Sequence, residues 1–195
     1  MELSWRLQRL MRSGLRGYSD EELFAMAYRN DEAFEFLMSK YNSYLMKLCT
    51  YLTSHVEDAE DLYQESVWKL YMLAKKKKKV DNFRPWVRKV VTNIFIDRYR
   101  KKEKKNVSLT DLEEKGYEVV DETFENSFAD GEGFRELLSH LSPEDRVIIT
   151  LRYADGLSYA EISRELGITE ANARQRVNRI RKRLLSRLSR GEHDG

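Results

Sequence analysis

The sequence predicts an all-α protein: two small helical domains joined by an acidic flexible linker, the C-terminal one a helix-turn-helix. Three observations carry that prediction. Leu, Arg, Lys and Glu dominate, with only two prolines and nine glycines in 195 residues, a composition that favours helix. Apolar residues recur at helical spacing through 19–105 and again from 134 to 190. Between them, over 106–133, the periodicity fails in a stretch of nine acids against one lysine.

Residues 1–18 form an N-terminal extension, and the first strong start signal is Ser19-Asp20-Glu21-Glu22. Its spacing is that of a capping box, the serine capping while the glutamate three residues on reaches back. A second apolar-periodic run begins at Asp31 and continues through Tyr41 and Leu48. A third helix is expected over Asp58–Ala74 and a fourth over Phe83–Lys102, where Pro85 sits in a first turn that has no use for its missing N–H. These four helices make the first domain, 19–105.

The segment 106–133 contains Gly116 and Gly131 and has net charge −8, which marks it as a linker. Its 28 residues reach roughly 90 Å fully extended and about 30 Å as a coil. From 134 the caps are clear. Ser142-Pro143-Glu144-Asp145 supplies an N-cap, a proline at the first helical position and early acids. Gly156 can end that helix, Ser158 and Glu161 form a second capping box, Gly167 ends its helix and Thr169 caps the last. Helix, short glycine turn, helix is the helix-turn-helix pattern.

Composition narrows the function. The net charge is only +2, but its distribution is uneven. Residues 84–105 hold nine Lys/Arg against two acids, and 171–190 hold eight without any acid. Two basic blocks around an acidic one imply two polyanion contacts. Cys49 is the single cysteine, which excludes an internal disulfide and suits a reducing compartment. No stretch approaches the roughly 18 apolar residues of a membrane span, and Arg6, Arg9, Arg12 and Arg16 interrupt the start where a secretory signal would be apolar. The expectation is a cytoplasmic protein without membrane insertion.

Three helical faces carry the function. On the last helix Ala173, Val177, Ile180 and Leu184 share one stripe, and Ala171, Asn172, Gln175, Asn178, Arg179 and Lys182 lie opposite, with Arg174 at the edge. Amides and arginine read base edges while flanking cations meet phosphates. The competing reading is a plain solvated face. The fourth helix places Val87, Val90, Val91, Ile94 and Phe95 on one side and Lys89, Asn93, Ile96 and Arg100 on the other, running out into Arg98 and Lys101. An amide among cations points to nucleic acid; a solvated basic helix end is the alternative. On the third helix Ala59, Leu62, Tyr63, Ser66, Val67, Leu70 and Ala74 face one way, and Asp61, Gln64, Glu65, Trp68 and Met72 the other. An acidic face repels DNA, and an exposed Trp ringed by polar groups has the character of a protein anchor. The alternative is a Trp68 covered by the N-terminal extension.

Catalytic readings gain no support. Glu57, Asp58, Glu60 and Asp61 form a carboxylate cluster, yet no phosphate-cradling loop or basic partner accompanies it. An acidic helix start favoured by the helix dipole accounts for it. His55, His140 and His193 lack metal-ligand spacing. The expectation is a non-enzyme with no catalytic residue, metal or cofactor.

These residues also resemble a family. Asp58-Ala59-Glu60-Asp61-Leu62-Tyr63-Gln64-Glu65 resembles the region-two stretch D-A-E-D-L-x-Q-E of extracytoplasmic-function (ECF) sigma factors, of the sigma-70 family. Phe83-Arg84-Pro85-Trp86-Val87 and Asn93-Ile94-Phe95-Ile96-Asp97-Arg98 resemble its F-R-x-W-L and N-x-x-x-D-R stretches. Leu141-Ser142-Pro143-Glu144, Leu157-Ser158-Tyr159-Ala160-Glu161-Ile162 and Arg181-Lys182-Arg183-Leu184 resemble region four. The resemblance spans roughly 19–187 and implies a promoter-recognition subunit. Asp58, Asp61, Gln64, Glu65, Trp68 and Met72 would then dock on the β′ clamp of core RNA polymerase. Lys89, Asn93, Asp97, Arg98, Arg100 and Lys101 would hold the minus-ten element. Ala171, Asn172, Arg174, Gln175, Asn178, Arg179 and Lys182 would read the minus-thirty-five element, with region four on the β flap. An anti-sigma factor is an implied partner. The residues depart from the family pattern at Ala173, where a bulkier apolar residue is usual, and in the Lys75–Lys79 run before Phe83. A reading of another class is a stand-alone helix-turn-helix regulator, which would need a sensor or dimerisation domain.

Overall fold

The computed structural model describes the backbone of residues 14–103 and 138–191, with side chains at 14–100 and 138–186. All regular structure among them is helical. A 3₁₀ turn at Leu15–Gly17 leads into α1 (Asp20–Met26), α2 (Asp31–Thr53), α3 (Val56–Lys75) and α4 (Phe83–Glu103). Then come α5 (Pro143–Ile149), a π-helical turn over Thr150–Ala154, α6 (Tyr159–Leu166) and α7 (Glu170–Gly191). The expected linker 106–133, and all of the extension before Gly14, lie outside the described residues.

The chain forms two compact units. Among the described residues, one takes 14–49 with Glu60–Ile94; the other takes Thr50–Ala59 with 95–103 and 138–191. The division passes through α2, α3 and α4.

In the first unit, α1 starts on the Ser19 capping box. The Ser19 hydroxyl accepts the Glu22 N–H at 3.2 Å, and the Glu22 carboxylate accepts the Ser19 N–H at 2.7 Å. Asn30 caps α2 by accepting the N–H of Glu32 at 3.0 Å. On α3 the predicted stripe is buried at Leu62, Ser66, Leu70 and Ala74, and the Ser66 hydroxyl donates to the Leu62 carbonyl at 2.6 Å. Phe83 opens α4 inside an aromatic cluster, its ring 5.2 Å from Phe24 and 5.0 Å from Tyr41. The N-terminus of α4 is satisfied from far along the chain: the Glu21 carboxylate accepts the Phe83 N–H at 2.8 Å. That bond holds the Glu21 carboxyl below its ordinary range. Further ties join α1, α2 and α3. The Tyr41 hydroxyl donates to Asp20 at 2.6 Å, with Lys40 on the same carboxylate. Tyr63 donates to Asn42 at 2.8 Å, and Lys75 to Asp31 at 2.6 Å. Arg88 and Thr92 of α4, on neither predicted face, are buried.

The second unit centres on α5. Ser142 caps it by accepting the Asp145 N–H at 3.2 Å. The neighbouring Asp145 and Arg146 then diverge. Asp145 accepts from Arg176 of α7 at 2.8 Å. Arg146, 1% exposed, donates to the carbonyls of Leu52 (2.8 Å), Thr53 (3.2 Å), Ser139 (3.1 Å) and Leu141 (3.4 Å). Two of those carbonyls belong to the last turn of α2, where unsatisfied acceptors and the helix dipole favour a cation. Burial pulls the Arg146 pKa down from its ordinary value, and these carbonyls, with the rings of Phe95 at 5.7 Å and Tyr99 at 5.4 Å, offset the loss of water.

After α5 the chain loosens by one residue per turn: the Asp155 N–H reaches back to the Thr150 carbonyl at 3.2 Å, an i to i+5 bond that marks a π turn. Gly156, with φ 68°, then reverses the chain. Ser158 and Glu161 form the expected capping box of α6, and Gly167 ends it at φ 68°, a left-handed conformation that glycine adopts without steric cost. Thr169 caps α7 by accepting the Asn172 N–H at 3.1 Å.

Candidate polymerase and nucleic-acid interfaces

The acidic face of α3 is open. Asp61, Gln64 and Glu65 are exposed, Trp68 is 64% exposed and Met72 38%. Leu70 and Leu62 fill the opposite side, so this Trp is displayed while the helix is held by its other stripe. The Trp68 ring is not loose. It stacks on Tyr71 at 6.1 Å and 29°, and Tyr71 packs edge-on against Phe34 at 5.3 Å. Asp58, grouped with this face by its motif, stands apart and lines a small cavity with Thr53, Phe95, Arg98 and Tyr99. Among the described residues no cluster of His, Cys, Asp and Glu has metal-holding geometry, the Glu57–Asp61 carboxylates included.

On α4, Lys89, Asn93, Asp97 and Arg100 are exposed and recur every three or four residues, one stripe of the helix. Arg98 lies on the other side, half-buried in the cavity beside Asp58. Arg100 approaches Glu144 at 3.8 Å. The side chain of Lys101 lies outside the described residues.

A second feature of the same region was not singled out in the sequence. A cavity of about 580 Å³ is lined by Tyr28, Arg29 and Lys77–Lys79 together with the acids Glu21, Glu22 and Asp81. The Lys77 ammonium sits 4.2 Å from the Tyr28 ring centre and the Arg29 guanidinium 5.6 Å from it. Lys77 takes a left-handed backbone, φ 54°, which turns the lysine run back toward α1. The lysines alone signalled charge; only the fold supplies the aromatic ring among them, a pairing suited to a stacked base with its phosphate.

On α7 the inner stripe is complete: Ala173, Val177, Ile180 and Leu184 are all 0% exposed. Ala171, Asn172, Gln175 and Lys182 are exposed, and Arg174, Asn178 and Arg179 are half-buried. Arg179 leans toward Asp145 at 3.9 Å, behind Arg176. Arg174 lies 3.5 Å from Glu170 and 4.8 Å from the ring centre of Tyr159. The small Ala173 is fully buried in this helix seat.

Residues 37–105 match the family profile Sigma-70 region 2, and residues 132–184 match Sigma-70, region 4. The ECF RNA polymerase sigma factor SigM of Bacillus subtilis (strain 168) is 31% identical over 164 residues, 79% of this chain and 96% of that protein. Two solved structures share the fold. One, titled as CnrH in complex with the cytosolic domain of CnrY, gives a TM-score of 0.60 at 20% identity over 90% of this chain and 99% of that one. The other, the sigma factor RpoE of Bartonella quintana with the anti-sigma factor NepR, gives 0.58 at 23% identity over 80% and 96%. An all-helical chain with an acidic aromatic face, two basic helices and both sigma-70 regions in order is a promoter-recognition subunit of the sigma-70 type. It belongs to the ECF sigma factors.

Proposed function

We propose that this sigma factor divides its work over four surfaces. The α3 face of Asp61, Gln64, Glu65, Trp68 and Met72 docks on the polymerase clamp. The α4 stripe of Lys89, Asn93 and Arg100, continued by Lys101, together with the Tyr28–Lys77 cavity, takes the opened minus-ten strand. The α7 face of Ala171, Asn172, Arg174, Gln175, Asn178, Arg179 and Lys182 reads the minus-thirty-five element, with region four, 134–190, against the β flap. The linker, 106–133, carries region two, 19–105, to region four across the polymerase.

Trp68 carries this reading. A stand-alone regulator has no use for an acidic, aromatic face beside two basic helices, whereas a subunit that must hold a large protein partner needs such an anchor. The chain acts by binding and catalyses no reaction of its own, and its work is in the cytoplasm with polymerase. One neighbour was solved with the anti-sigma factor NepR, which supports such a partner here, competing for the surfaces that polymerase uses. The test is run-off transcription with purified core polymerase on a randomised promoter library, alongside co-purification of the two. The expected result is a stable complex and enrichment of one promoter class. DNA binding without any affinity for core polymerase would instead establish the stand-alone regulator.

A further inference from the structure

Two arginines crowd one tyrosine at the entrance to the helix-turn-helix. The guanidinium carbons of Arg152 and Arg174 each lie 4.8 Å from the ring centre of Tyr159. Tyr159 is the first residue of α6, and its backbone is fixed from both sides. Ser158 before it and Glu161 after it close the capping box, with the Ser158 N–H on the Glu161 carboxylate at 2.8 Å. The helix start that carries the ring is therefore fixed, and two guanidiniums lie against the ring itself.

The two arginines differ in what else holds them. Arg152 donates to the Leu157 carbonyl at 2.9 Å, a bond that ties it to the turn it belongs to. Arg174 has a different position: its side chain is 43% exposed, on the second turn of α7, and its ion pair to Glu170 is stretched to 3.5 Å. A long exposed arginine ordinarily samples many rotamers, and freezing it on a DNA edge costs entropy. An aromatic face under a planar guanidinium reduces that cost, because the group is held flat before the ligand arrives.

We propose that Tyr159, a residue outside the DNA-facing set of α7, is a positioning residue for promoter specificity: its ring presets the Arg174 guanidinium for bidentate contact with one base pair. The inference rests on the reading of Arg174 as a base-reading residue. It predicts that the shape of the ring matters and its hydroxyl does not. Tyr159→Phe keeps the face; Tyr159→Leu fills similar space without one, so both variants are expected to fold.

The experiment scores the full-length chain with core polymerase against every single-base variant of its selected minus-thirty-five element. Wild type, Arg174→Ala, Tyr159→Leu, Tyr159→Phe and the Arg174→Ala/Tyr159→Leu double variant are compared, with thermal unfolding of each. A bidentate arginine discriminates on the order of tenfold or more at its base step. The expected result is that Arg174→Ala and Tyr159→Leu flatten preference at the same position, that the double variant flattens it no further, and that Tyr159→Phe retains it. If Arg174→Ala leaves every preference intact, the reading of Arg174 falls and the inference with it. If Arg174→Ala flattens one position while Tyr159→Leu does not, the inference alone is overturned. Uniform weakening by Tyr159→Leu, with the base preferences unchanged, likewise overturns it by giving Tyr159 a merely structural role.

Discussion

The helices of region two and those of region four are held by different kinds of contact. In region four the helix ends are finished locally: Ser142, Ser158 with Glu161, Gly167 and Thr169 each act within a few residues of the end they satisfy. In region two local caps at Ser19 and Asn30 are joined by ties that cross the chain. Glu21 caps α4 at Phe83, Lys75 returns to Asp31, and Tyr63 reaches Asn42. The contrast has a consequence for the two DNA-facing helices. The base-reading face of α7 can be changed with little effect on its scaffold, because caps and inner stripe are separate residues. On α4 the start of the helix is also part of the aromatic core, so its basic face and its stability are less separable.

The largest expected effect tests that coupling directly. Phe83→Ala removes a fully buried ring between Phe24 and Tyr41 and should cost about 3–5 kcal/mol, measured by denaturant unfolding. A loss below about 1 kcal/mol would show that α4 is seated without this cluster.

Trp68→Ala sharpens the comparison from the other side, since that ring is largely displayed to solvent. Affinity for core polymerase should fall by about 2 kcal/mol or more, while unfolding shifts by less than about 0.5 kcal/mol. Unchanged affinity in a folded protein removes the assignment of the α3 face.

On α7, Gln175→Ala should flatten base preference at one or two promoter positions, about 1–3 kcal/mol of discrimination. Lys182→Ala should weaken all promoter variants alike and lower the salt slope by about one. The reverse pattern, with Lys182→Ala altering the preference, would mean that the helix enters the groove in another register.

The smallest effect compares the two caps. Glu21→Gln and Thr169→Ala should each cost about 1 kcal/mol, but only the first should change acid sensitivity. The Phe83 N–H holds the Glu21 carboxyl below its ordinary range, so its contribution is complete above the unfolded carboxyl pKa and is lost as pH falls through the lower folded one. Urea titrations at neutral pH and near pH 3 should show the Glu21→Gln deficit shrinking in acid while the Thr169→Ala deficit stays constant.

Much of this protein was legible before any coordinates. The caps at Ser19, Ser142, Ser158 and Thr169 depend only on neighbours in the chain, and the stripes of α3 and α7 follow from a fixed helical period. The exposure of Trp68 and the burial of Ala173 followed from those stripes. What the tertiary structure alone decided concerns residues whose partners are distant in sequence. Glu21 reads locally as a capping-box acid, and nothing near it announces Phe83. Arg146 sits among polar residues at a helix start, yet it is buried on carbonyls from Leu52 and Thr53. Tyr28 turns the lysine run into a cavity with an aromatic wall, and Tyr159 lies between arginines 7 residues before it and 15 after it. Periodicity states which side of a helix is apolar; it carries no information on which other helix will stand opposite, because that choice is made by the packing of all of them at once.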